Sequence, residues 1–311
     1  MSTTFLARFS AYVLLSGAIA TAVAGSAAAQ TSAARYWKPV EDALGRKGTP
    51  NPDGVLKFGF PRADLTVVLD GVTLKPALAL GSWVAFKRIG NAVMVMGDLV
   101  LLDDEVAPVM GSLQQNGIEQ TALHNHLLDE SPHVMYMHIR AIGNAERIAK
   151  AVRTALEFSE TPLGPPTAAA PTTTTPAGTP ANNLDTAAIA RIIGVRGRTN
   201  GGVYQLSIPR REKIMEDKME IPSSMGLATA INFQSTGAGK AAITGDFVLL
   251  GREVNPVIWA LSENGIAVTA IHSHVIVENP RLFFMHFWAN DDVPKLARGL
   301  RAALDRTRGR R

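Results

Sequence analysis

Apolar residues recur at the spacings typical of strands and of helices, and the same order of predicted elements occurs twice. In the second half, residues 201–209, 228–234 and 240–250 read as strands, the last two around a Gly-rich turn. Residues 253–265 have apolar positions at helical spacing, with Asn264-Gly265 as the stop. Two more strands, IAVTAIHSHVIV and RLFFMHFWA, and a closing helix, DDVPKLARGLRAAL, follow. The core order β-α-β-β-α, preceded by extra N-terminal strands, predicts an α+β fold. This order predicts that each repeat is a ferredoxin-like unit, with helices on one face of a mostly antiparallel sheet.

The two halves of the chain are a tandem duplication. Residues 97–156 align with 245–304 without a gap, and 26 of the 60 aligned positions are identical. The repeat is domain-sized, which excludes a solenoid of short units. Residues 159–184 are rich in Pro, Thr and Ala and are too long for a structureless loop inside a domain, so they predict a linker. We expect a first repeat domain at 30–158 and a second at 185–311.

The N-terminus has the layout of a secretory signal peptide. Arg8 precedes an apolar stretch of small residues, and Ala27-Ala28-Ala29 provides a cleavage pattern. The apolar stretch is short for a membrane span. We therefore expect residues 1–29 to be removed near Ala29, leaving a periplasmic or secreted protein without a membrane span.

Composition limits the chemistry that the chain can perform. Its 46% hydrophobic and 19% charged residues are enough for packed cores, which excludes general disorder. There is no cysteine, so disulfides, thiolate metal sites and cysteine nucleophiles are excluded. The net charge is only +4 with both signs mixed, so we expect no nucleic-acid partner.

Six of the seven histidines follow one spacing that is present in both repeats. The shared pattern is His-x-His-x-x-x-Glu-x-Pro-x-x-x-x-Met-His. If His-x-His lies on a strand, its two imidazoles point to the same face, and the third histidine returns on the neighbouring strand. Three imidazoles and a carboxylate suit a divalent metal, most simply zinc. The predicted ligands are His124, His126 and His138 in the first repeat and His272, His274 and His286 in the second. Glu130 and Glu278 are a predicted fourth ligand or general base.

Two alternatives to metal binding remain open for these histidines. They could line a half-polar strand face and bond to one another, to carboxylates or to water, or they could transfer protons without a metal. Asp98 and Asp246 could be additional ligands, although a turn at the entry to a strand explains them more simply. Arg62 and Arg210 could hold an anionic substrate, although a solvated turn is the simpler expectation.

The motifs resemble those of a known family. GDFVLLGREVNPVIWALSENGIAVTAIHSH and ENPRLFFMHFWANDDVPKLARGLRAALD, with GDLVLLDDEVAPV in the first repeat, closely resemble the LppY/LpqO family of exported bacterial proteins. The resemblance covers both repeats and implies tandem copies of a domain of unknown function. It implies no reaction, cofactor or active site. The lipid anchor of some relatives needs a cysteine, which this chain lacks.

The sequence therefore predicts an exported two-repeat protein with a histidine–glutamate metal site in each repeat. If the protein is an enzyme, metal-assisted hydrolysis of a small molecule or a cell-envelope component is the simplest reaction. The alternative is a non-enzymatic module that binds a small ligand or a metal. In one form of it, the two domains pair face to face and hold the ligand between them.

Overall fold

The computed structural model describes residues 35–164 and 184–307. The predicted signal peptide lies outside these residues, as does most of the predicted linker. The linker's first residues pack on the first repeat, where Glu160 donates its backbone N–H to the Glu105 carboxylate at 2.9 Å. In the two described ranges, no helix combines the length and the apolar character needed to cross a membrane.

The first repeat begins with a helix, α1, at residues 35–44. The elements that follow are β1 (Thr49–Pro50), β2 (Val55–Pro61), β3 (Val68–Leu69), β4 (Val72–Thr73), β5 (Gly81–Ile89), β6 (Ala92–Leu102), α2 (Asp103–Gln115), β7 (Glu119–His124), β8 (Val134–Gly143) and α3 (Ala145–Leu156).

The second repeat has the same order of elements. These are α4 (Thr186–Ile193), β9 (Arg198–Asn200), β10 (Val203–Pro209), β11 (Met215–Glu216), β12 (Met219–Glu220), β13 (Ala228–Gly237), β14 (Lys240–Leu250), α5 (Val254–Glu263), β15 (Ala267–His272), β16 (Leu282–Asp292) and α6 (Val293–Thr307). Short 3-10 turns precede β13 and α5.

Each repeat forms one six-stranded antiparallel sheet. The strand orders are β1-β2-β5-β6-β8-β7 and β15-β16-β14-β13-β10-β9. In the first repeat β8 lies between β6 and β7, which are joined by α2, so the unit is a split β-α-β followed by a helix. The predicted fold class, a tandem α+β unit with a mostly antiparallel sheet, is confirmed. The small hairpins β3-β4 and β11-β12 were not predicted.

Alternation along the strands gives each sheet two different faces. On β8, Met137 and Ile139 belong to the core that packs under the helices. Tyr136 and His138 therefore lie on the opposite face. The second repeat has the same arrangement on β16, where Met285 belongs to the core under the helices and His286 lies on the opposite face. The histidines of the central strands thus lie on the face that the helices leave uncovered.

The uncovered faces of the two sheets pack against each other. One apolar core joins Val55, Ala85 and Met96 of the first repeat to Phe284 and other residues of the second. Another core joins the first repeat to Trp288, which donates a 2.7 Å hydrogen bond to Asp70 at the tip of the β3-β4 hairpin. The order of layers is therefore helices, sheet, sheet, helices.

Arg62 and Arg210 occupy buried ion pairs, which corrects the expectation of solvated turns. The Arg62 guanidinium is fully buried and binds both oxygens of Glu105, at 2.6 and 3.0 Å, and the Val100 carbonyl. Arg210 pairs with Glu253 in the same way, at 2.8 and 3.1 Å. The two arginines tie the β2 or β10 end of each sheet to the start of α2 or α5, so their cationic groups are used within the fold.

Candidate functional site

The edge strands β7 and β15 deliver one histidine each to the space between the sheets. His124 is the last residue of β7 and His272 the last of β15. His126 and His274 lie in the loops that follow, so the prediction that each His-x-His pair lies on a strand is wrong. The loop turns the second imidazole back toward the first, and the pair still converges.

The third histidine of each repeat comes from the middle of a central strand. His138 on β8 has Asp98 of β6 as its cross-strand partner, and His286 on β16 has Asp246 of β14. Directly opposite residues of neighbouring strands lie on the same face. Both aspartates are therefore in mid-strand, Asp98 buried and Asp246 partly buried, which corrects the expectation that they lie at strand-entry turns.

The six histidines form one cluster that spans the two repeats. Three pairs of stacked rings join the repeats, with ring centroids 3.6 Å apart for His124 and His272, 3.8 Å for His126 and His286, and 3.7 Å for His138 and His274. Each pair contains one ring from each repeat, so the two predicted sites share one location. We call this set of six histidines the inter-repeat cluster.

The ring nitrogens of the inter-repeat cluster form two groups whose members lie within 4.8 Å of one another. One group is His124, His126 and His138, and the other is His272, His274 and His286 joined by His124. These are the two predicted triads, and His124 belongs to both. His272 Nε2 lies 2.8 Å from His274 Nε2 and 3.3 Å from His286 Nε2.

Hydrogen bonds to the backbone fix the orientation of two of the rings. His286 Nδ1 lies 3.0 Å from the Gly245 carbonyl oxygen, and His124 Nδ1 lies 3.1 Å from that of Asn125. A carbonyl only accepts, so Nδ1 carries the proton and Nε2 keeps a free lone pair. Within the described residues, the buried Nε2 atoms of His124, His126 and His138 have no hydrogen-bond partner. Ring nitrogens that make no hydrogen bond can use their lone pairs to bind a cation.

Burial keeps these imidazoles neutral. It lowers the pKa of His124 to about 4 and that of His272 to about 3, with repulsion from His124 adding to the effect at His272. The other four have a pKa well below the usual value, first because of burial and then because of neighbouring histidines. Neutral imidazole is the form that binds metals.

Asp98 and Asp246 add two carboxyl groups beside the inter-repeat cluster, the first buried and the second partly buried. Asp98 Oδ1 lies 3.8 Å from His138 Nε2, and Asp246 Oδ2 lies 3.9 Å from His274 Nδ1. Burial raises the pKa of Asp98 to about 7 and, together with the Asp98 charge, raises that of Asp246 well above its usual value. In the described ranges, the Oδ1 atom of each has no hydrogen-bond partner.

The structure does not bring Glu130 or Glu278 into the inter-repeat cluster. Glu130 accepts a 3.4 Å hydrogen bond from the Val134 backbone, and Glu278 accepts one of 2.8 Å from that of Leu282. Among the described residues, neither carboxylate is within reach of either group of ring nitrogens. Each closes the loop that follows its histidine pair. The seventh histidine, His133, is exposed and pairs with Asp103 at 2.9 Å.

Family comparison supports the duplication. Residues 38–158 and 187–306 each match the model of a domain of unknown function (DUF1259), and together they make up more than half of the chain. The protein belongs to the DUF1259 family. No curated protein has a significant sequence match to it. The inter-repeat cluster is therefore built from two DUF1259 repeats.

Two solved structures have a distant likeness to the pair of DUF1259 repeats. The trimeric bacterial microcompartment shell protein PduB is 11% identical, with a TM-score of 0.21 over 84% of this chain and 90% of its own. EtuB from Clostridium kluyveri is 9% identical, with a TM-score of 0.23 over 83% and 89%. Both TM-scores are too low to support any conclusion about function.

Lys57 is a residue near the site that the sequence did not indicate. Its ammonium group lies 3.7 Å from the centre of the Trp83 ring, and Trp83 is the cross-strand partner of Asp98. Burial lowers the pKa of Lys57 to about 8, opposed by the charge of Asp98. The second DUF1259 repeat has Gln205 at the matching position of the sheet. This difference between the repeats is the signal that a comparison of their sequences could have used.

Proposed function

We propose that the two repeats of this protein together bind a divalent metal ion, most simply zinc, at the inter-repeat cluster. The observation that carries this proposal is the convergence of neutral imidazoles from both repeats, three of which have a buried Nε2 atom without a partner. Buried polar atoms are almost always hydrogen-bonded, so several in one place point to a ligand. The two repeats would then act as one binding unit.

The donor set fits zinc in type, and one pair of nitrogens also has the spacing of a zinc site. Zinc accepts imidazole nitrogens at about 2.0–2.1 Å in tetrahedral sites, which places two such nitrogens roughly 3.3 Å apart. His272 Nε2 and His286 Nε2 are 3.3 Å apart. The hydrogen bond from His286 Nδ1 to the Gly245 carbonyl is the kind of outer contact that orients a metal-bound histidine.

Metal-assisted hydrolysis is the activity that we propose for the loaded site. A bound zinc ion would polarise a carbonyl or phosphoryl oxygen and make a bound water more acidic. Asp98 supports this proposal because its carboxyl group lies beside the inter-repeat cluster, with Oδ1 3.8 Å from His138 Nε2 and without a hydrogen-bond partner in the described residues. Retention of the metal without catalysis is the simpler form of the same function, and it needs only the histidines.

We also propose that the protein is exported and belongs among the LppY/LpqO-like exported proteins. The support is the layout of residues 1–29 and the motifs of both repeats. Cell fractionation should place the mature chain outside the cytoplasm, with a new N-terminus close to Gln30. An uncleaved cytoplasmic chain would refute export without affecting the metal proposal.

Metal analysis of the purified protein tests the metal-binding proposal. The wild-type chain, purified without chelators, should retain near-stoichiometric metal, and His272→Ala/His274→Ala should lose it. His133→Ala is the matched control, because His133 is exposed and outside the inter-repeat cluster. The control should retain as much metal as the wild type. Equal trace metal in all three proteins after incubation with zinc and buffer exchange would refute the proposal.

A further inference from the structure

We infer that the inter-repeat cluster contains two different metal positions, an inference that rests on the proposed metal function. The first position has four imidazole ligands, from His124, His272, His274 and His286. The second has His126 and His138 with the carboxylate of Asp98, and it leaves a coordination position for an exogenous oxygen ligand. Asp98 is thus assigned as a metal ligand, whereas its counterpart in the second repeat, Asp246, is not.

The division follows from His124, which belongs to both groups of ring nitrogens but can serve only one metal. Its Nδ1 atom donates a hydrogen bond to the Asn125 carbonyl, so Nε2 is its only ring nitrogen with a lone pair for a metal. On the second-repeat side, the Nε2 atoms of His272, His274 and His286 already approach one another closely. His124 completes this set to four, the number that closes a tetrahedral site.

His126 and His138 then remain with unused donors. Their Nε2 atoms are buried and, in the described residues, unpartnered. Asp98 Oδ1 lies 3.8 Å from His138 Nε2, and it too is buried and has no hydrogen-bond partner among the described residues. Two nitrogens and one carboxylate oxygen suit a divalent metal such as Zn²⁺, Mn²⁺ or Fe²⁺.

Asp246 cannot play the same part, although it is the counterpart of Asp98 in the repeat. It approaches His274 from the Nδ1 side, at 3.9 Å, whereas His274 Nε2 faces His272. Asp246 therefore lies beside His274 Nδ1, the ring nitrogen that points away from the four-histidine position. A carboxylate there orients the metal-binding ring and does not bind the metal itself. Asp98 instead approaches His138 from the Nε2 side, where a ligand can share a metal with that nitrogen.

Charge also distinguishes the two aspartates. The Lys57 ammonium lies over the ring of Trp83, the cross-strand partner of Asp98, whereas the second repeat has the neutral Gln205 at the position of Lys57. A ligating carboxylate must be ionised. With three protein ligands, the second position can accept a water or the oxygen of a carboxylate or phosphate group, whereas the four-histidine position is closed. We therefore assign substrate binding to the second position.

Cobalt titration of the full chain tests this inference. Co²⁺ is added to chelator-treated protein, bound metal is measured after buffer exchange, and the visible absorption reports coordination, since tetrahedral Co²⁺ absorbs most strongly. We expect the wild type to bind two ions per chain. Asp98→Asn should bind one and keep the strong absorption, with affinity for the second ion reduced about tenfold or more. His133→Ala, the matched control outside the inter-repeat cluster, should still bind two, and inorganic phosphate should change the wild-type spectrum but not that of Asp98→Asn.

The outcomes separate this inference from the metal proposal itself. His126→Ala, in a loop, should reproduce the loss seen with Asp98→Asn, and circular dichroism should show both variants folded. A single ion in the wild type, or two ions retained by Asp98→Asn and His126→Ala, would overturn the two-position inference and leave the metal proposal standing. No bound ion in any protein would overturn both.

Discussion

Acid should destabilise the metal-free protein, because six imidazoles are held neutral between the sheets. As the pH falls below about 6.5, the unfolded chain takes up protons on these histidines. The folded protein does so only at much lower pH, near 4 for His124 and 3 for His272. The unfolded state therefore binds more protons in this range, and stability falls with pH. At pH 5.5 each buried neutral histidine costs about 1.4 kcal/mol relative to pH 7.5.

Asp98 and Asp246 act in the opposite direction. The pKa of Asp98 is about 7 in the folded protein, above its unfolded value, so the folded state takes up this proton first and gains stability as the pH falls through 7. Asp246 adds a gain of the same sign. Six histidines outnumber two aspartates, and the net change from pH 7.5 to 5.5 is a loss of roughly 3–4 kcal/mol.

Urea unfolding in the presence of a chelator measures this change directly. We expect the unfolding free energy to be lower at pH 5.5 than at pH 7.5, with an unchanged urea dependence. His124→Asn/His272→Asn removes two of the titrating groups and should reduce the loss, whereas His133→Ala should not. Equal or greater wild-type stability at pH 5.5 would refute the burial of neutral imidazoles.

Three further predictions concern the packing that holds the site. Glu105→Ala removes one of the two carboxylates that pair with the buried Arg62 guanidinium, leaving Asp64, and should cost about 1.5–3 kcal/mol in urea unfolding; a loss below about 1 kcal/mol, typical of a surface pair, would contradict the buried pair. Gly245→Ala introduces a Cβ that collides with the Ala230 carbonyl oxygen, so the midpoint of thermal unfolding should fall by several degrees, whereas Gly59→Ala, whose Cβ meets no described atom within 4 Å, should change it little. Trp288→Phe removes the hydrogen bond to Asp70 between the repeats and should cost about 1–3 kcal/mol in urea unfolding, and an unchanged unfolding free energy would show that this contact is dispensable.

The fold of each repeat was largely predictable because its signals are local. The Asn264-Gly265 stop marks the end of α5, and apolar alternation marks β13, β14 and β16. The hairpin β3-β4 was missed because its strands have two residues each, too few to show alternation. Its position depends on contacts with the other repeat, including that between Asp70 and Trp288.

The candidate site was predictable in its residues but not in its assembly. Histidine spacing identified all six members of the inter-repeat cluster. The stacking of His124 on His272 depends on how two whole sheets pack, which no local pattern specifies. For the same reason Asp98 looked like a turn residue: its burial comes from the sheet of the other repeat as well as from its own. The glutamates followed the spacing rule, but their carboxylates bind the backbone of their own loops.

Anomalous X-ray scattering from crystals of the zinc-loaded protein tests the central claim most directly. We predict a zinc peak between the sheets, about 2.0–2.1 Å from Nε2 atoms of histidines of both repeats, with His124 and His272 among its ligands. Zinc bound only by surface residues such as His133, or six imidazoles packed together without a peak at saturating zinc, would contradict the claim that the repeats build one metal site.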